Sequence, residues 1–226
     1  MARENGVSAR SGGAVSPRGG QVAIAVVLVV CAVVFLALLR QVWDGGSVAF
    51  DHPVMMWIHG ATTPWLTDTA QVVTLLGGRI VQVAAVATAV VLCALRRWAD
   101  AIIVVAAVVG SSRINVALKP VIERARPDLW EPMTVETTYS FPSGHTMAAM
   151  SIAAPLVILA WNTRFRWPTL VLAAIYVIAV GATRVYLGAH FPSDVLAGWC
   201  LTVLWVSAVV LVVRYLAAIS SRIKAG

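Results

Sequence analysis

Long apolar runs limit what this chain can fold into more than any other feature of its sequence. Residues 22–39 form the first of these runs, 18 residues without a charged side chain. An apolar run of this length spans the hydrocarbon core of a bilayer as an α-helix. Because 60% of the 226 residues are hydrophobic and only 12% are charged, the composition excludes an ordinary soluble domain. The sequence therefore predicts a protein that crosses the membrane several times.

We predict an all-α fold with six transmembrane helices, which form one membrane domain over residues 21–216. The six predicted spans are residues 22–39, 66–95, 99–118, 145–161, 167–185 and 195–213. The first run continues into Arg40 and not into a small-residue cleavage site, so it is predicted to remain as an uncleaved span. Residues 1–20 are rich in Gly, Ser and Arg and are predicted to form a disordered tail. A second short tail is predicted at residues 217–226.

The segment between the first two predicted spans, residues 44–64, is too polar to cross a bilayer. It nevertheless carries Phe50, Trp57 and Trp65, aromatic residues of the kind found at headgroup depth. This pattern favours a segment that lies in the membrane interface as a lid or as an entrance for a lipid. A packed connecting loop explains the same pattern equally well.

The distribution of basic residues predicts the orientation of the protein. Six spans place both termini on one side, and the ten basic residues predicted there are Arg3, Arg10, Arg18, Arg96, Arg97, Arg164, Arg166, Arg214, Arg222 and Lys224. The five on the opposite side are Arg40, Lys119, Arg124, Arg126 and Arg184. Because basic residues are enriched on the cytoplasmic side, we predict a plasma membrane protein with cytoplasmic termini. Orientation also accounts for the net charge of +7, so no nucleic-acid partner is predicted.

The cysteines and acidic residues indicate neither a disulfide framework nor a metal centre. Cys31, Cys93 and Cys200 each fall alone within an apolar run, as small buried hydrophobic residues do. The sequence contains no cluster of Asp, Glu and His with metal-ligand spacing. We therefore expect no catalytic metal and no cofactor.

Three polar clusters fall at the ends of predicted spans, and the most informative lies between the last two. It contains Arg184, His190 and Asp194, and charged residues at the edge of a hydrocarbon layer are costly and commonly functional. Pro192 suits the first turn of a helix, which places the Asp194 carboxylate one turn from His190. A carboxylate there can orient the imidazole as a base or nucleophile. A structural ion-pair network is the alternative.

The second cluster lies at the end of the third predicted span. Lys119 and Arg126 are followed by Pro127, which stops a continuing helix. Arg126 can bind a phosphate with two N–H groups, and Lys119 can bind it as a point charge. Cations that extend to the membrane surface explain this cluster as well.

The third cluster, Pro142-Ser-Gly-His145, opens the fourth predicted span. The backbone N–H groups of a helix that starts near Gly144 can bind an anion. The Ser143 hydroxyl adds a donor, and His145 adds an acid–base group. A short Ser-Gly-His sequence is common by chance, so the functional prediction depends on all three clusters lying at the same face of the membrane.

Together the three clusters resemble the motifs of the type 2 phosphatidic acid phosphatase family, which includes bacterial undecaprenyl diphosphate phosphatases. In this sequence they occur in the order Lys119-x6-Arg126-Pro, Pro142-Ser-Gly-His145 and Arg184-x5-His190-x3-Asp194. The resemblance extends over residues 44–213 and includes the pair Gly77-Gly78. One departure is Thr183, where the family usually has serine, but the hydroxyl is retained.

The resemblance implies a metal-independent lipid phosphatase that acts through a phosphohistidine. It implies that His190 attacks phosphorus, that Asp194 orients its far nitrogen and that His145 protonates the leaving oxygen. The residues expected to hold the phosphoryl oxygens are Lys119, Arg126, Ser143, Gly144 and Arg184. The expected partner is a lipid phosphate in the membrane, either undecaprenyl diphosphate or a phosphatidic-acid-like lipid, at an active site on the outer face.

Three other functions stay open on the sequence alone. Soluble vanadium haloperoxidases resemble the same motifs, so an oxidase that holds vanadate is one alternative, although six spans disfavour it. A non-catalytic transporter or binding protein for anionic lipids explains the arginines but not two histidines with a nearby aspartate. An acyl hydrolase built on Ser143 and His145 is disfavoured because three cations suit a dianion better than a neutral ester.

Overall fold

The computed structural model describes residues 17–131, 133–134 and 136–225, and within them the chain forms eight α-helices and no β-strand. In chain order these are α1 (Pro17–Trp43), α2 (Asp51–His59), α3 (Pro64–Leu75), α4 (Arg79–Ala94), α5 (Trp98–Ile122), α6 (Gly144–Ala160), α7 (Arg166–Tyr186) and α8 (Pro192–Ala225). The predicted all-α fold is confirmed.

Four of the described helices, α1, α5, α7 and α8, are long and apolar enough to cross a membrane. Helices α3 and α4 add a fifth if they are counted as one span, bent by 41° at the break that contains Gly77-Gly78. Helix α6 is a shorter apolar helix of 17 residues. The six predicted spans match these elements in order, but helix length and composition support four of them, or five if α3 and α4 form one span, so the count of six stays a prediction.

Helix α1 begins earlier than predicted and corrects the boundary of the N-terminal tail. Residues 1–16 of the predicted tail lie outside the described residues, but residues 17–20 form the first turn of α1. Pro17 has a fixed φ that suits this position, so the helix begins before the apolar run does. It also continues to Trp43, because Arg40 and Gln41 are good helix formers although they are polar.

Helix α8 has 34 residues and continues through most of the segment predicted as a C-terminal tail. The apolar run ends near Val213, but the residues that follow include helix formers such as Ala, Leu and Arg. Arg214 Nη2 also donates to Asp100 Oδ1 at 2.9 Å, and Asp100 accepts a second bond from Arg97 Nε at 2.8 Å. These contacts fix α8 to the start of α5, at the end of the bundle away from the polar clusters.

Helix α6 lies at the centre of the bundle, packed against α5, α7 and α8. Its small residues Ala149 and Ala153 are buried with Val177 and Val180 of α7. Small residues allow two helix backbones to approach closely, which is how helices associate in a membrane. As a result α5 and α7 end, and α6 and α8 begin, at the same end of the bundle.

The segment predicted to lie in the interface contains the nine-residue helix α2. Met55 is fully buried against Val185 and Val195, whereas Met56 and Trp57 are exposed. One face of α2 is therefore packed against α7 and α8, and the position of its exposed face in the membrane interface stays a prediction.

Candidate active site

The bundle brings the eight residues predicted from the three motifs to one end of the structure. Lys119 lies in the last turn of α5 and Arg184 in the last turn of α7. Gly144 and His145 begin α6, and Asp194 lies in the first turn of α8. The connections between these helix ends carry Arg126, Ser143 and His190. Because helix directions alternate, motifs that are far apart in the sequence meet here.

A tight turn after α7 fixes the position of His190. Gly188 has a φ of 71°, in the left-handed region that favours glycine, and a Cβ at this position would lie 2.7 Å from Trp130 Nε1. The Arg184 carbonyl accepts hydrogen bonds from the backbone N–H groups of Ala189 and His190, at 3.1 and 3.2 Å. The imidazole is therefore attached to a backbone that the last turn of α7 holds in place.

Asp194 lies on one side of the His190 ring, with 3.4 Å between His190 Nδ1 and Asp194 Oδ2. The carboxylate is itself fixed from several directions. Its Oδ2 accepts a 2.9 Å bond from the Phe191 N–H and a short bond from the Ser140 hydroxyl, and its Oδ1 is bound by Arg124. Asp194 therefore cannot turn away from the imidazole without losing these contacts.

Arg126 lies on the other side of the ring, with its Nη1 3.3 Å from His190 Nε2. A guanidinium can only donate hydrogen bonds, so Nε2 acts as the acceptor and the ring proton is assigned to Nδ1, which faces Asp194. Arg126 is held by the carbonyls of Ala189 and Thr138, at 2.6 and 2.7 Å. The Nε2 lone pair is thus directed toward a fixed cation.

Burial lowers the pKa of His190 to about 4. The residue is only 1% exposed, and the loss of hydration of the imidazolium outweighs the stabilising effect of Asp194 on the charged ring. Arg184 and Arg126 lower the pKa further by repulsion. The imidazole is therefore neutral at pH 7, which is the state that a nucleophile or base requires.

Arg184 is almost completely buried, and two side chains hold its guanidinium. Nη1 donates to Thr74 Oγ1 at 2.8 Å, and Nη2 bonds Oε1 of Glu136. Its Nε has no hydrogen-bond partner among the described residues. Because buried donors are nearly always paired, this nitrogen is a free donor for an acceptor that enters the site.

Glu136 lies between two arginines of the site. Its Oε2 is 3.5 Å from Arg126 Nη2, and its Oε1 contacts Arg184. Burial raises the pKa of Glu136, but the positive charges of Arg184 and Arg126 outweigh burial and hold this pKa below its ordinary value. The carboxylate is therefore ionised at neutral pH and neutralises part of the positive charge of the site. The sequence around Glu136 contains no motif or spacing that marks this residue as part of a site.

The start of α6 is held against both α5 and α8. The Ser143 N–H donates to the Asp194 carbonyl at 3.1 Å, and Asn115 Nδ2 donates to the Pro142 carbonyl at 2.9 Å. Gly144 passes so close to α5 that a Cβ would lie 3.0 Å from Asn115 Oδ1. The buried Ser143 hydroxyl has no partner within the part of the chain that the structure describes. It is a second free donor, beside the first N–H groups of a helix.

His145 lies against the glycine pair that separates α3 from α4. At Gly77 a Cβ would lie 2.5 Å from Val180 Cγ1 and 3.3 Å from His145 Cβ. At Gly78 a Cβ would lie 3.6 Å from His145 Nε2. The two glycines therefore let the break between α3 and α4 pass directly over this imidazole.

Lys119 borders a cavity of about 670 Å³ beside the site. Its Nζ donates to Thr138 Oγ1 at 2.8 Å, and Arg126 binds the carbonyl of the same threonine. The cavity is also lined by Asn115, Glu136 and Tyr139. Lys119 and Arg126 are thus joined through Thr138, which lies in the connection between α5 and α6.

Arg124 is the main contributor that sequence analysis did not assign to the site. Its guanidinium binds Asp194 and, at 2.8 Å, Oδ2 of Asp51 in α2. Asp51 also accepts the N–H and hydroxyl of Ser193, at 2.8 and 2.6 Å, and so caps the first turn of α8 from another helix. These partners lie 70 or more positions from Arg124, so no local motif could have revealed them.

Two further arginines, Arg79 and Arg113, lie away from this network. Both are exposed on the outside of the bundle. The positive charge around His190 and Asp194 therefore comes from Arg124, Arg126 and Arg184, and Lys119 is joined to Arg126 through Thr138. Fixed cations beside a neutral imidazole can bind an anion and position it for attack.

The chain matches the model of a known protein family. The family model of the PAP2 superfamily matches residues 100–218, which is more than half of the 226 residues. The matched segment contains the eight candidate residues.

Individual proteins with similar sequences or folds carry related names. Phosphatidylglycerophosphatase B of Bacillus subtilis is 38% identical over 103 residues, which cover 43% of this chain and 50% of that protein. An undecaprenyl-diphosphatase of Sulfolobus acidocaldarius is 38% identical over 65 residues, 29% of each protein. The matched segments thus span half or less of these curated relatives. The crystal structure of a transmembrane PAP2-type phosphatidylglycerolphosphate phosphatase from Bacillus subtilis has a TM-score of 0.69 and 27% identity, covering 84% of this chain and 96% of that one.

Proposed function

The chain belongs to the PAP2 superfamily, and from that premise we propose that it is a phosphatase of membrane lipids that carry a terminal phosphate or diphosphate. The observation that carries this proposal is the position of His190 between Asp194 and Arg126. The ring proton faces the carboxylate, and the free Nε2 faces a cation at 3.3 Å. A neutral nucleophile beside a bound anion is the arrangement that phosphoryl transfer needs.

In the first step His190 Nε2 attacks phosphorus and the bond from phosphorus to the leaving oxygen breaks. The imidazole becomes a phosphohistidine, and Asp194 stabilises the positive charge that develops on the ring. Arg126, Arg184 and Lys119 neutralise the phosphoryl oxygens as charge builds up on them. The hydroxyl of Ser143 and the N–H of Gly144 are further donors to the same oxygens.

In the same step His145 donates a proton to the leaving oxygen, so the lipid departs as an alcohol or as a monophosphate. His145, now neutral, then takes a proton from a water molecule that attacks the phosphohistidine. The bond between Nε2 and phosphorus breaks, orthophosphate leaves and His190 regains its starting state. His145 lies at the start of α6, and His190 lies just before α8. Their positions on two different helix ends support the assignment of the acid–base role to one histidine and of the nucleophilic role to the other.

No metal ion enters this mechanism, because three protein cations supply the charge that a metal would otherwise provide. We therefore propose that catalysis is independent of divalent metals and of any cofactor. Activity should persist in excess EDTA, and vanadate should inhibit by imitating pentacoordinate phosphorus. Loss of activity in EDTA that added magnesium restores would contradict this part of the proposal.

The substrate class follows from the membrane location of the site and from the names of the relatives. Those relatives are a phosphatidylglycerophosphatase and an undecaprenyl-diphosphatase. We propose undecaprenyl diphosphate, phosphatidic acid and phosphatidylglycerol phosphate as the first substrates to test, with undecaprenyl diphosphate foremost. The proposed cytoplasmic termini place the site on the outer face of the plasma membrane, where this carrier lipid is released after wall synthesis.

The deciding experiment measures phosphate release by purified full-length protein from each of these lipids, with wild type beside His190→Ala. We expect release by the wild type and near-complete loss in the variant for every substrate, because the variant lacks the nucleophile. A wild type that binds the lipids without releasing phosphate would indicate a binding or transport protein. Release that persists at the wild-type rate in His190→Ala would exclude this histidine as the nucleophile.

A further inference from the structure

Glu136 binds the two arginines that the proposed mechanism assigns to the phosphate. We propose that Glu136 is a specificity-determining residue whose carboxylate competes with the substrate for Arg126 and Arg184, so that only a strongly charged terminal phosphate displaces it. This inference rests on the proposed function of the same site. It adds an internal competitor that none of the three sequence motifs contains.

The contacts of Arg126 place this carboxylate next to the reacting centre. One nitrogen of the guanidinium, Nη1, lies 3.3 Å from His190 Nε2, and the other, Nη2, lies 3.5 Å from Glu136 Oε2. The second carboxylate oxygen contacts Arg184, whose side chain is 2% exposed. An anion that approached Nε2 while bound to both arginines would have to take the place of these carboxylate oxygens.

Glu136 uses only part of the binding capacity at this position. Arg184 Nε and the Ser143 hydroxyl stay without hydrogen-bond partners among the residues described. A carboxylate has two oxygens and one negative charge, whereas a terminal phosphate offers three acceptor oxygens and a charge near −2 at pH 7. A terminal phosphate therefore satisfies donors that Glu136 leaves unpaired, and this difference favours the exchange.

The position of Glu136 in the chain allows it to move aside. It lies in the connection between α5 and α6 and not within a helix, and its side chain is 22% exposed. It also lines the cavity of about 670 Å³ beside Lys119. The carboxylate can therefore leave the arginines without displacement of any helix.

The consequence for selectivity is a threshold affinity that an anion must exceed before it displaces Glu136. The order of the affinities of different anions does not change. A competing carboxylate weakens the binding of every anion that needs both arginines, so an anion with a small binding free energy is excluded while one with a larger binding free energy still binds. Phosphodiester lipids, which make up most of a bilayer, carry a single charge on the phosphate and gain too little to displace Glu136. A terminal phosphate exceeds the threshold, so the site stays free of the abundant diesters and accepts the rarer substrate.

Direct binding of orthophosphate tests this proposal without any turnover. Isothermal titration calorimetry on the full-length protein in detergent compares wild type with Glu136→Gln. The matched control is Glu131→Gln, because Glu131 is an exposed glutamate earlier in the same connection. We expect the Kd for orthophosphate to fall roughly tenfold in Glu136→Gln, in line with coupling between close charge pairs, and to stay unchanged in Glu131→Gln. Glu136→Ala removes the carboxylate without introducing the amide of the Gln variant, and it should behave like Glu136→Gln. An unchanged or higher Kd in both Glu136 variants, or no measurable phosphate binding to any protein, would overturn the proposal.

Kinetics then separate this inference from the proposed function. In Glu136→Gln we expect a KM about tenfold lower for a lipid phosphate and new inhibition by phosphatidylglycerol vesicles, which should not inhibit the wild type. A fall in kcat with unchanged KM would show that Glu136 only positions the arginines, and would refute the competition. A wild type that hydrolyses no lipid phosphate would remove the proposed function, whereas the tenfold change in orthophosphate binding would still stand on its own.

Discussion

Asp51 and Asp194 belong to different helices, α2 and α8, yet both carboxylates bind the guanidinium of Arg124. Asp51 in addition bonds the N–H and the hydroxyl of Ser193, one residue before Asp194. The short helix α2 is thereby connected to the carboxylate that lies beside His190. A disturbance of Asp51 in α2 should therefore reach the imidazole through its contacts with Arg124 and Ser193.

Replacement of Asp51 by Asn tests this connection. The change removes the charge that pairs with Arg124 in a buried position, so we expect a loss of roughly 3 kcal/mol in the free energy of unfolding. Because Asp51 acts on the reaction only through Asp194, kcat should fall while KM changes little. Asp68→Asn, an exposed carboxylate on α3, is the matched control. Equal stability and equal kcat in the two variants would show that the Asp51 contacts are dispensable.

The stability of the protein should depend on pH through His190. Its pKa is about 4 in the folded protein and about 6.5 in an unfolded chain. Between these values the unfolded state binds more protons, so the free energy of unfolding decreases as the pH falls from 6.5 to 4. The contribution of this one residue between pH 7 and pH 5 is about 2 kcal/mol. Denaturation in detergent at both pH values should show a smaller pH dependence for His190→Gln than for wild type, and an identical dependence would contradict the assignment.

The two histidines should respond differently to the leaving group. Removal of His190 eliminates the nucleophile, whereas His145→Ala removes a general acid, whose contribution is typically 100-fold or more. Phosphatidic acid must expel an alkoxide and should show the full loss. Undecaprenyl diphosphate expels a phosphate that is stable as an anion, so its loss should be only about tenfold.

Rapid-quench measurement of the first turnover avoids interference from the later hydrolysis step, in which His145 is also proposed to act. Equal losses for both lipids in that first turnover would show that His145 is not the leaving-group acid. Labelled phosphoenzyme that still formed in a His190 variant would move the nucleophile to another residue.

The orientation of the protein is a separate prediction from the distribution of basic residues. A reporter fused after Gly226 should indicate the cytoplasm, and a reporter inserted within residues 128–131, before Glu136, should indicate the exterior. The physical reason is the enrichment of Lys and Arg on the cytoplasmic side of a membrane. The opposite pattern would place the site on the inner face and remove the argument for an external substrate.

Much of the site could be predicted from sequence because the chemistry is carried by short motifs at helix ends. Lys119 and Arg126, or His190 and Asp194, are close in the chain, and the alternation of helix directions is enough to bring such pairs together. The pair Gly77-Gly78 was also visible in the sequence, as part of the family resemblance. The two glycines let the backbone between α3 and α4 pass close to His145. This role could not be predicted from the sequence, because His145 belongs to another helix.

The parts that sequence analysis missed are long-range pairs. Glu136 meets Arg184 from 48 residues away, and Arg124 meets Asp51 from 73 residues away. A lone Glu or Arg in a polar loop has no spacing that distinguishes it from its neighbours. The predicted ends of α1 and α8 were wrong for another reason. Hydropathy indicates which residues lie in lipid, whereas helix propensity decides at which residue a helix begins or ends.

The length of α8 has a mechanical consequence. Thirty-four residues at 1.5 Å each make a rod about 51 Å long, whereas the hydrocarbon layer is about 30 Å thick. The first 23 residues, from Pro192 to Arg214, are about 34 Å long and so are enough to cross that layer, and Arg214 pairs with Asp100 of α5. The 11 residues that follow Arg214 make α8 roughly 16 Å longer than such a crossing requires. A partner bound to this part of α8 would be held at a fixed distance and angle from the lipid surface, because a continuous helix and not a flexible linker would connect it to the membrane span.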